Sequence, residues 1–290
     1  MRLPARTATA ATLALLCLAG CSAPHDGPTS PTPTVPATPS PSATPSPTAS
    51  GTTEPTIALP PAGGFAYQLG GGYAPPAGTA IVSRDSTDSP APGLYNICYL
   101  NGFQSQPGEA GDWDGLLLQH TGKPMADPGW PDEYLFDTST DANRAAIAAK
   151  MGTLIAGCAS KGFDAVEFDN LDSYSRSKGA LTTQDNLALA ELYIADAHAA
   201  GLAVGQKNSV EIATQGAAAG FDFAVSEECG YYKECDGYQA VYDVVLDIEY
   251  ADSAAYAAMC KSGALPAQSV RRDVELTTPS SADYVFERCA

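Results

Sequence analysis

Histidine is scarce: three occur in 290 residues, and only His120 and His198 lie beyond residue 61. No Cys-x-x-Cys pair accompanies them, so a metal site lacks ligands of the right number and spacing and none is expected. No Gly-x-Ser-x-Gly occurs, which removes the nucleophile elbow of Ser-His-acid hydrolases. No Gly-rich phosphate loop follows the first strand-like run, as a dinucleotide fold would need. Basic residues are also few, 15 Lys and Arg against 33 Asp and Glu, a formal charge of −18. Such a surface repels nucleic acid and favours a cationic or neutral partner. The apolar run from Ala8 to Leu18 is too short to span a bilayer.

Arg2 and Arg6 precede that run and Leu18-Ala19-Gly20-Cys21 follows it, the order of a targeting segment. Leu-Ala-Gly-Cys is similar to the bacterial lipobox. Residues 1–21 are therefore expected to be a lipoprotein signal peptide, with Cys21 lipidated and the protein held at the outer face of the cell membrane by that anchor alone; the alternative is an ordinary secretory cleavage site and a secreted protein. Residues 22–61 hold 12 of the 23 prolines, with only Asp26 and Glu54 charged. They bury no core and read as a disordered Pro/Ser/Thr-rich tether. Residues 62–290 suffice for one large domain, expected to act as a monomer.

Beyond Cys17 and Cys21 six cysteines remain: Cys98, Cys158, Cys229, Cys235, Cys260 and Cys289. An even number outside the cytoplasm implies three disulfides among fifteen pairings. Cys229–Cys235 is the most local bridge, and Cys260–Cys289 with Cys98–Cys158 is the expected remainder.

Short apolar or β-branched runs recur at 65–69, 81–85, 94–100, 134–137, 165–170, 202–208, 221–228, 244–250 and 269–274. Helical patterns separate several of them. The clearest covers 184–200, opened by Thr182, Thr183 and Asp185 and stopped by Gly201, and another runs from about Asp141 to Ala159. This alternation predicts a parallel sheet, and its length favours a closed (β/α)8 TIM barrel. Nine candidates compete for eight places, the 134–137 run being the weakest.

Six of these runs end in polar groups: Asp85, Asp169-Asn170, Lys207-Asn208, Glu227-Glu228, Glu249-Tyr250 and Asp273. The carboxyl ends of barrel strands form the active face of that fold. Paired carboxylates without a histidine base, a nucleophilic cysteine or a cofactor suit glycoside hydrolysis. His198, in the last turn of the 184–200 pattern, reads as a structural partner of the helix C-terminus.

The segments Phe65-Ala66-Tyr67-Gln68-Leu69-Gly70-Gly71, Tyr95-Asn96-Ile97-Cys98-Tyr99-Leu100-Asn101, Glu167-Phe168-Asp169-Asn170-Leu171-Asp172-Ser173-Tyr174, Gln206-Lys207-Asn208, Ser226-Glu227-Glu228-Cys229 and Ile248-Glu249-Tyr250 resemble glycoside hydrolase family 114. That is the endo-α-1,4-polygalactosaminidase family, whose fold is a TIM barrel. The resemblance implies hydrolysis of α-1,4-linked galactosamine polymers, with Asp169 as nucleophile, Glu227 as acid and base, and retention at the anomeric carbon. Simple alternation leaves Glu228 as the rival of Glu227. Gln68, Asp85, Tyr99, Asn170, Asp172, Lys207, Asn208, Glu228, Glu249, Tyr250 and Asp273 are the expected substrate-binding groups. The acids among them suit a cationic or partly acetylated amino-sugar polysaccharide.

Overall fold

The structure is a computed structural model that describes residues 57–289. Cys21, the 1–21 segment and the tether up to Thr56 lie outside the described residues. Eight strands lie side by side, each parallel to its neighbour: β1 (Gly64–Gln68), β2 (Thr79–Asp85), β3 (Tyr95–Asn101), β6 (Ala165–Asp169), β7 (Ala203–Lys207), β8 (Phe223–Glu227), β9 (Val245–Glu249) and β10 (Gln268–Arg272). The last of them comes back against β1. The sheet thus curls into the expected barrel.

Alternation sorts each strand into two faces. Phe65, Tyr67, Ile81, Ile97, Ala165, Ala203, Phe223, Val225, Leu246, Ile248 and Val270 pack into the barrel interior, all fully buried. Gly205 on β7 is a steric necessity there, because a Cβ would stand 2.7 Å from the Phe223 ring. The opposite face, including Cys98, Leu100, Val166, Phe168, Val204 and Ala224, packs against helices.

Helix α1 (Asp141–Lys161) follows β3, opened by Thr140, whose side chain accepts from the Asn143 N–H, and closed by Gly162 at φ 89°. Its Ile147, Met151, Ile155 and Cys158 recur every three or four residues and bury one stripe. After β6 come a short α2 (Ser173–Arg176) and α3 (Thr183–Ala199), the latter opened by a reciprocal capping box between Thr182 and Asp185. The remaining helices, α4 (Ala213–Ala219), α5 (Cys229–Tyr232), α6 (Cys235–Gln239) and α7 (Ser253–Ser262), follow β7, β8 and β9. The α/β alternation is incomplete in the first third, where loops alone join β1 to β2 and β2 to β3. Ala91, Leu94 and Phe286 cover Ala66 and Val82 in place of a helix.

The 134–137 run joins no barrel strand. It forms isolated bridges, Gln104 with Leu135, Leu117 with Phe136 and Ala126 with Tyr134, in the long excursion between β3 and α1. That excursion also carries the hairpin of β4 (Gln119–His120) and β5 (Lys123–Pro124). A strand that the sequence pattern does not predict, β11 (Phe286–Arg288), pairs antiparallel with β10. Its Arg288 donates to the Phe65 carbonyl at 3.1 Å and the Ala77 carbonyl at 3.2 Å, tying this edge to the first strands.

Three disulfides pair as expected: Cys98–Cys158, Cys229–Cys235 and Cys260–Cys289. They tie β3 to α1, α5 to α6, and α7 to the residue after β11. Their sequence separations of 60, 6 and 29 residues rank their effect on the unfolded chain. Loop-closure entropy assigns about 4 kcal/mol to the first bridge and about 2 kcal/mol to the second. Urea denaturation should therefore show the paired Cys98→Ala, Cys158→Ala variant to be less stable than the paired Cys229→Ala, Cys235→Ala variant; the reverse order would contradict this ranking.

Candidate active site

Three adjacent strands, β6, β7 and β8, end on inward-facing Asp169, Lys207 and Glu227. Each is followed at once by a residue with positive φ: Asn170 at 66°, Asn208 at 53° and Glu228 at 60°. Asparagine tolerates this left-handed region better than most residues, and a glutamate there is strained. The turn stops the pleat at the inward residue, so the next side chain no longer follows strand alternation. Asn208 also braces its neighbour: its Oδ1 accepts from the Glu227 N–H at 2.8 Å, and its Nδ2 donates to Glu227 Oε2 at 3.1 Å.

Lys207 is 1% exposed, and its Nζ lies 3.4 Å from Asp169 Oδ1 and 3.3 Å from Glu227 Oε2. It donates to the Tyr67 hydroxyl at 3.0 Å and lies over the rings of Tyr67 and Tyr99. The two carboxylates are held alike. Asp169 accepts from Tyr99 Oη at 2.8 Å and the Asn170 N–H at 2.9 Å, while Glu227 accepts from Tyr250 Oη at 2.5 Å and from Asn208. Burial opposes charge on Lys207, but Asp169, Glu227 and Glu167 outweigh it and raise its pKa well above the ordinary 10.5. Burial first, and then these carboxylates, raise the hydroxyls of Tyr67, Tyr99 and Tyr250 far above 10.0, so all three remain donors.

Glu167 lies one inward position below Asp169, fully buried, and accepts from Ser83 Oγ at 2.7 Å. Burial pushes its carboxyl from 4.5 up to about 7, with Lys207 and Ser83 pulling the other way. Three acids thus surround one ammonium, and a proton on Glu167 relieves the excess negative charge.

These groups floor a cleft of about 640 Å³ walled by Tyr67, Tyr99, Trp130, Glu133, Asn170, Glu228, Tyr250 and Glu275. Of the expected site residues, Tyr99, Asp169, Asn170, Lys207, Glu227, Glu228 and Tyr250 meet here. Asp172 and Asn208 line an adjoining pocket of about 340 Å³ that shares Glu227 and Glu228 with the cleft. Asp172 is also engaged by Arg176 at 2.6 Å.

Four expected substrate groups lie elsewhere. Gln68 sits on the outward face of β1, fully buried, and accepts from Arg84 Nε at 3.0 Å, since alternation turns Tyr67 inward instead. Glu249 is outward on β9, buried, and accepts from the Gly230 N–H at 2.7 Å. Asp85 caps a turn through the Thr87 N–H and hydroxyl and lines a separate pocket. Asp273 accepts from the Thr277 and Val285 N–H groups, holding the segment before β11. His198 pairs with Asp222 at 2.8 Å, and Asp222 also accepts from the Val204 N–H, a structural junction away from the cleft.

Sequence reasoning missed Glu167 and Glu133. Glu167 was accessible, because a residue two before Asp169 shares its face. Glu133 comes from an irregular loop with no periodicity to mark it. Cys229, Cys235 and Asp247 lie close enough to suggest a metal group, but the two cysteines are joined to each other.

A family model described as glycoside-hydrolase family GH114 matches residues 45–290. Among solved structures, Aspergillus fumigatus Ega3 in complex with galactosamine is similar with a TM-score of 0.64 and 22% identity, over 81% of this chain and 98% of that one. A variant of the glycoside hydrolase domain of PelA from Pseudomonas aeruginosa is similar with a TM-score of 0.52 and 15% identity, over 77% and 97%. No curated protein matches the chain.

The buried acids set the pH dependence of stability. Glu167 moves from 4.5 unfolded to about 7 folded, so between those values the folded state holds a proton that the unfolded chain has lost. Its effect is most favourable below 4.5, declines as pH rises to 7, and is constant above. Glu133, raised to about 7, and Asp247 and Glu249, both raised chiefly by burial, act with the same sign. The melting temperature should therefore drop by several degrees between pH 5 and pH 8, and Glu167→Gln should flatten part of that decline. A melting temperature that rises across this range would contradict the assignment.

Proposed function

The chain belongs to glycoside-hydrolase family GH114, and on that premise we propose that it cleaves α-1,4-linked galactosamine polymers with Asp169 as nucleophile and Glu227 as acid and base. The observation that carries this reading is the shared ammonium. Both carboxylates touch Lys207, at 3.4 and 3.3 Å, so the two oxygens are no farther apart than those contacts together allow. That is compatible with the roughly 5–5.5 Å of retaining enzymes, in which the second carboxylate attacks the sugar directly and no water must fit between them.

In the first step an Asp169 oxygen bonds to the anomeric carbon while the glycosidic oxygen leaves and takes the proton of the Glu227 carboxyl. In the second, Glu227 takes a proton from water, the water oxygen bonds to the anomeric carbon, and Asp169 is released. Two inversions give retention. Tyr99, Tyr250 and the two asparagines fix the carboxylates in place before substrate arrives, which is what orientation requires. Glu227 takes the acid role over Glu228 because it ends the inward face of β8, whereas Glu228 is itself the left-handed residue that leaves the strand.

Among the described residues lining the cleft, Lys207 is the one cation, against Glu133, Asp169, Glu227, Glu228 and Glu275. That balance supports a protonated amino sugar as substrate. The galactosamine in the Ega3 complex agrees with it. Three disulfides support work outside the cytoplasm, where the lipobox-like segment would anchor the protein.

Asp169→Asn and Glu227→Gln should each lower kcat by about 10³-fold or more with the fold intact, and Glu228→Gln by far less. Loss in Glu228→Gln but not in Glu227→Gln would move the acid role one residue along. On the polymer itself, product analysis by mass should show cleavage of deacetylated galactosamine chains, slower on the N-acetylated polymer and weakened by salt. Equal, salt-insensitive rates on both would count against the cationic substrate.

A further inference from the structure

Trp130 is 53% exposed, a large aromatic surface left in solvent on the wall of the cleft. The loop that bears it is firmly built. Asp127, 3% exposed, accepts from the Gly129 N–H at 2.7 Å and the Trp130 N–H at 3.2 Å on one oxygen. On the other it accepts from Gln104 at 2.8 Å and pairs with Arg176 Nε at 2.5 Å. The Glu133 N–H donates to the Trp130 carbonyl, and the Asp127 N–H to the Glu133 carbonyl, each at 2.9 Å. Trp130 and Glu133 are thereby presented together along one edge of the cleft, at fixed spacing.

Among the described residues Glu133 has no cation of its own. Its Oε2 accepts from Asn101 Nδ2 at 2.8 Å, and among the described residues its other oxygen has no partner. Asn101 in turn accepts from Asn170, the residue after Asp169. The nearby Arg176 is committed to Asp127 and Asp172. A half-buried carboxylate held by a neutral amide and facing a cleft is completed by a cation that arrives with the ligand. A tryptophan face beside it suits the apolar face of a sugar ring.

We propose that the 127–133 loop is an amine-reading subsite on the Asp169 side of the cleft, where Trp130 stacks on a sugar ring and Glu133 pairs with the ammonium of that ring. The subsite rests on the amino-sugar reading above and supplies its discrimination: an N-acetyl group offers Glu133 no positive charge to pair with. Burial first, with Asp169 and Asp127 adding to it and Asn101 and Arg176 opposing, pushes the Glu133 carboxyl up to about 7. On binding, the carboxylic O–H gives its proton to water and the carboxylate pairs with the ammonium. Capture of the amine therefore improves as pH rises through about 7, until the sugar ammonium itself loses its proton.

The test compares wild type, Glu133→Gln and Trp130→Ala on galactosamine oligosaccharides and their N-acetylated counterparts from pH 5 to 8, with melting temperatures to verify folding. Glu133→Gln should raise KM about tenfold or more on the free-amine substrate, leave kcat within about threefold, and barely affect the acetylated one. Its KM should also lose the wild-type dependence on pH near 7, which a merely structural role would not remove. Trp130→Ala should raise KM on both substrates. A wild type active on free-amine oligosaccharides whose preference survives in Glu133→Gln overturns the subsite alone. A wild type inactive on them overturns the subsite and the substrate reading together.

Discussion

The ammonium of Lys207 is the charge around which the site is assembled. It is shut away from water at the active end of the barrel interior, a position that would be prohibitive without partners. Asp169 and Glu227 from the flanking strands and Glu167 from beneath supply them, and Tyr67 accepts one of its hydrogen bonds. Because the lysine needs both carboxylates as much as they need it, strands β6, β7 and β8 are held in the register that lets these three side chains meet. An error of one residue in any of them would face the group outward and leave buried charge uncompensated.

The barrel interior below reflects the same constraint. Large rings such as Phe65, Phe223 and Tyr67 fill it, and Gly205 yields the space that the Phe223 ring occupies beneath Lys207. Above, the chain leaves β6, β7 and β8 through a left-handed residue, an unfavourable conformation for Glu228 in particular. Two links maintain that strain: the Glu228 N–H donates to the Ile248 carbonyl, and the Cys229–Cys235 bridge closes the segment immediately beyond. The geometry of the proposed catalytic pair is thus supported by backbone bonds and a covalent link, as well as by the carboxylates' own partners.

Acidic residues serve two distinct purposes here. Those inside the barrel and on the cleft wall face Lys207 or the ligand. Asp247 and Glu249 instead sit on the outer face of β9, buried under the α5 segment, where Ser226 and the backbone N–H groups of Cys229 and Gly230 engage them. They contribute nothing to the cleft's field at contact range, and they raise the cost of folding at alkaline pH. The strongly negative composition therefore overstates how many carboxylates are available to a cationic substrate.

The sequence alone determined the barrel, because eight short apolar runs separated by turns and helical stripes leave few other ways to bury their faces. It also marked the strand ends where polar groups gather, and through motif resemblance it singled out Asp169 and Glu227 as the pair proposed for catalysis. Alternation could group Glu227 with Val225, and Glu249 with Asp247, but not say which group faces the interior. That is why Gln68 and Glu249 were expected in the cleft and are buried outside it. Asp85 and Asp273 were misplaced for a different reason, since a carboxylate at a strand end caps its own turn whenever N–H groups lie within reach. Glu133 and Trp130 come from a loop with no period at all, and β11 closes an edge that only the finished barrel creates. Periodicity is a local property of the chain, whereas sidedness and the meeting of distant loops are settled by packing among residues far apart in sequence.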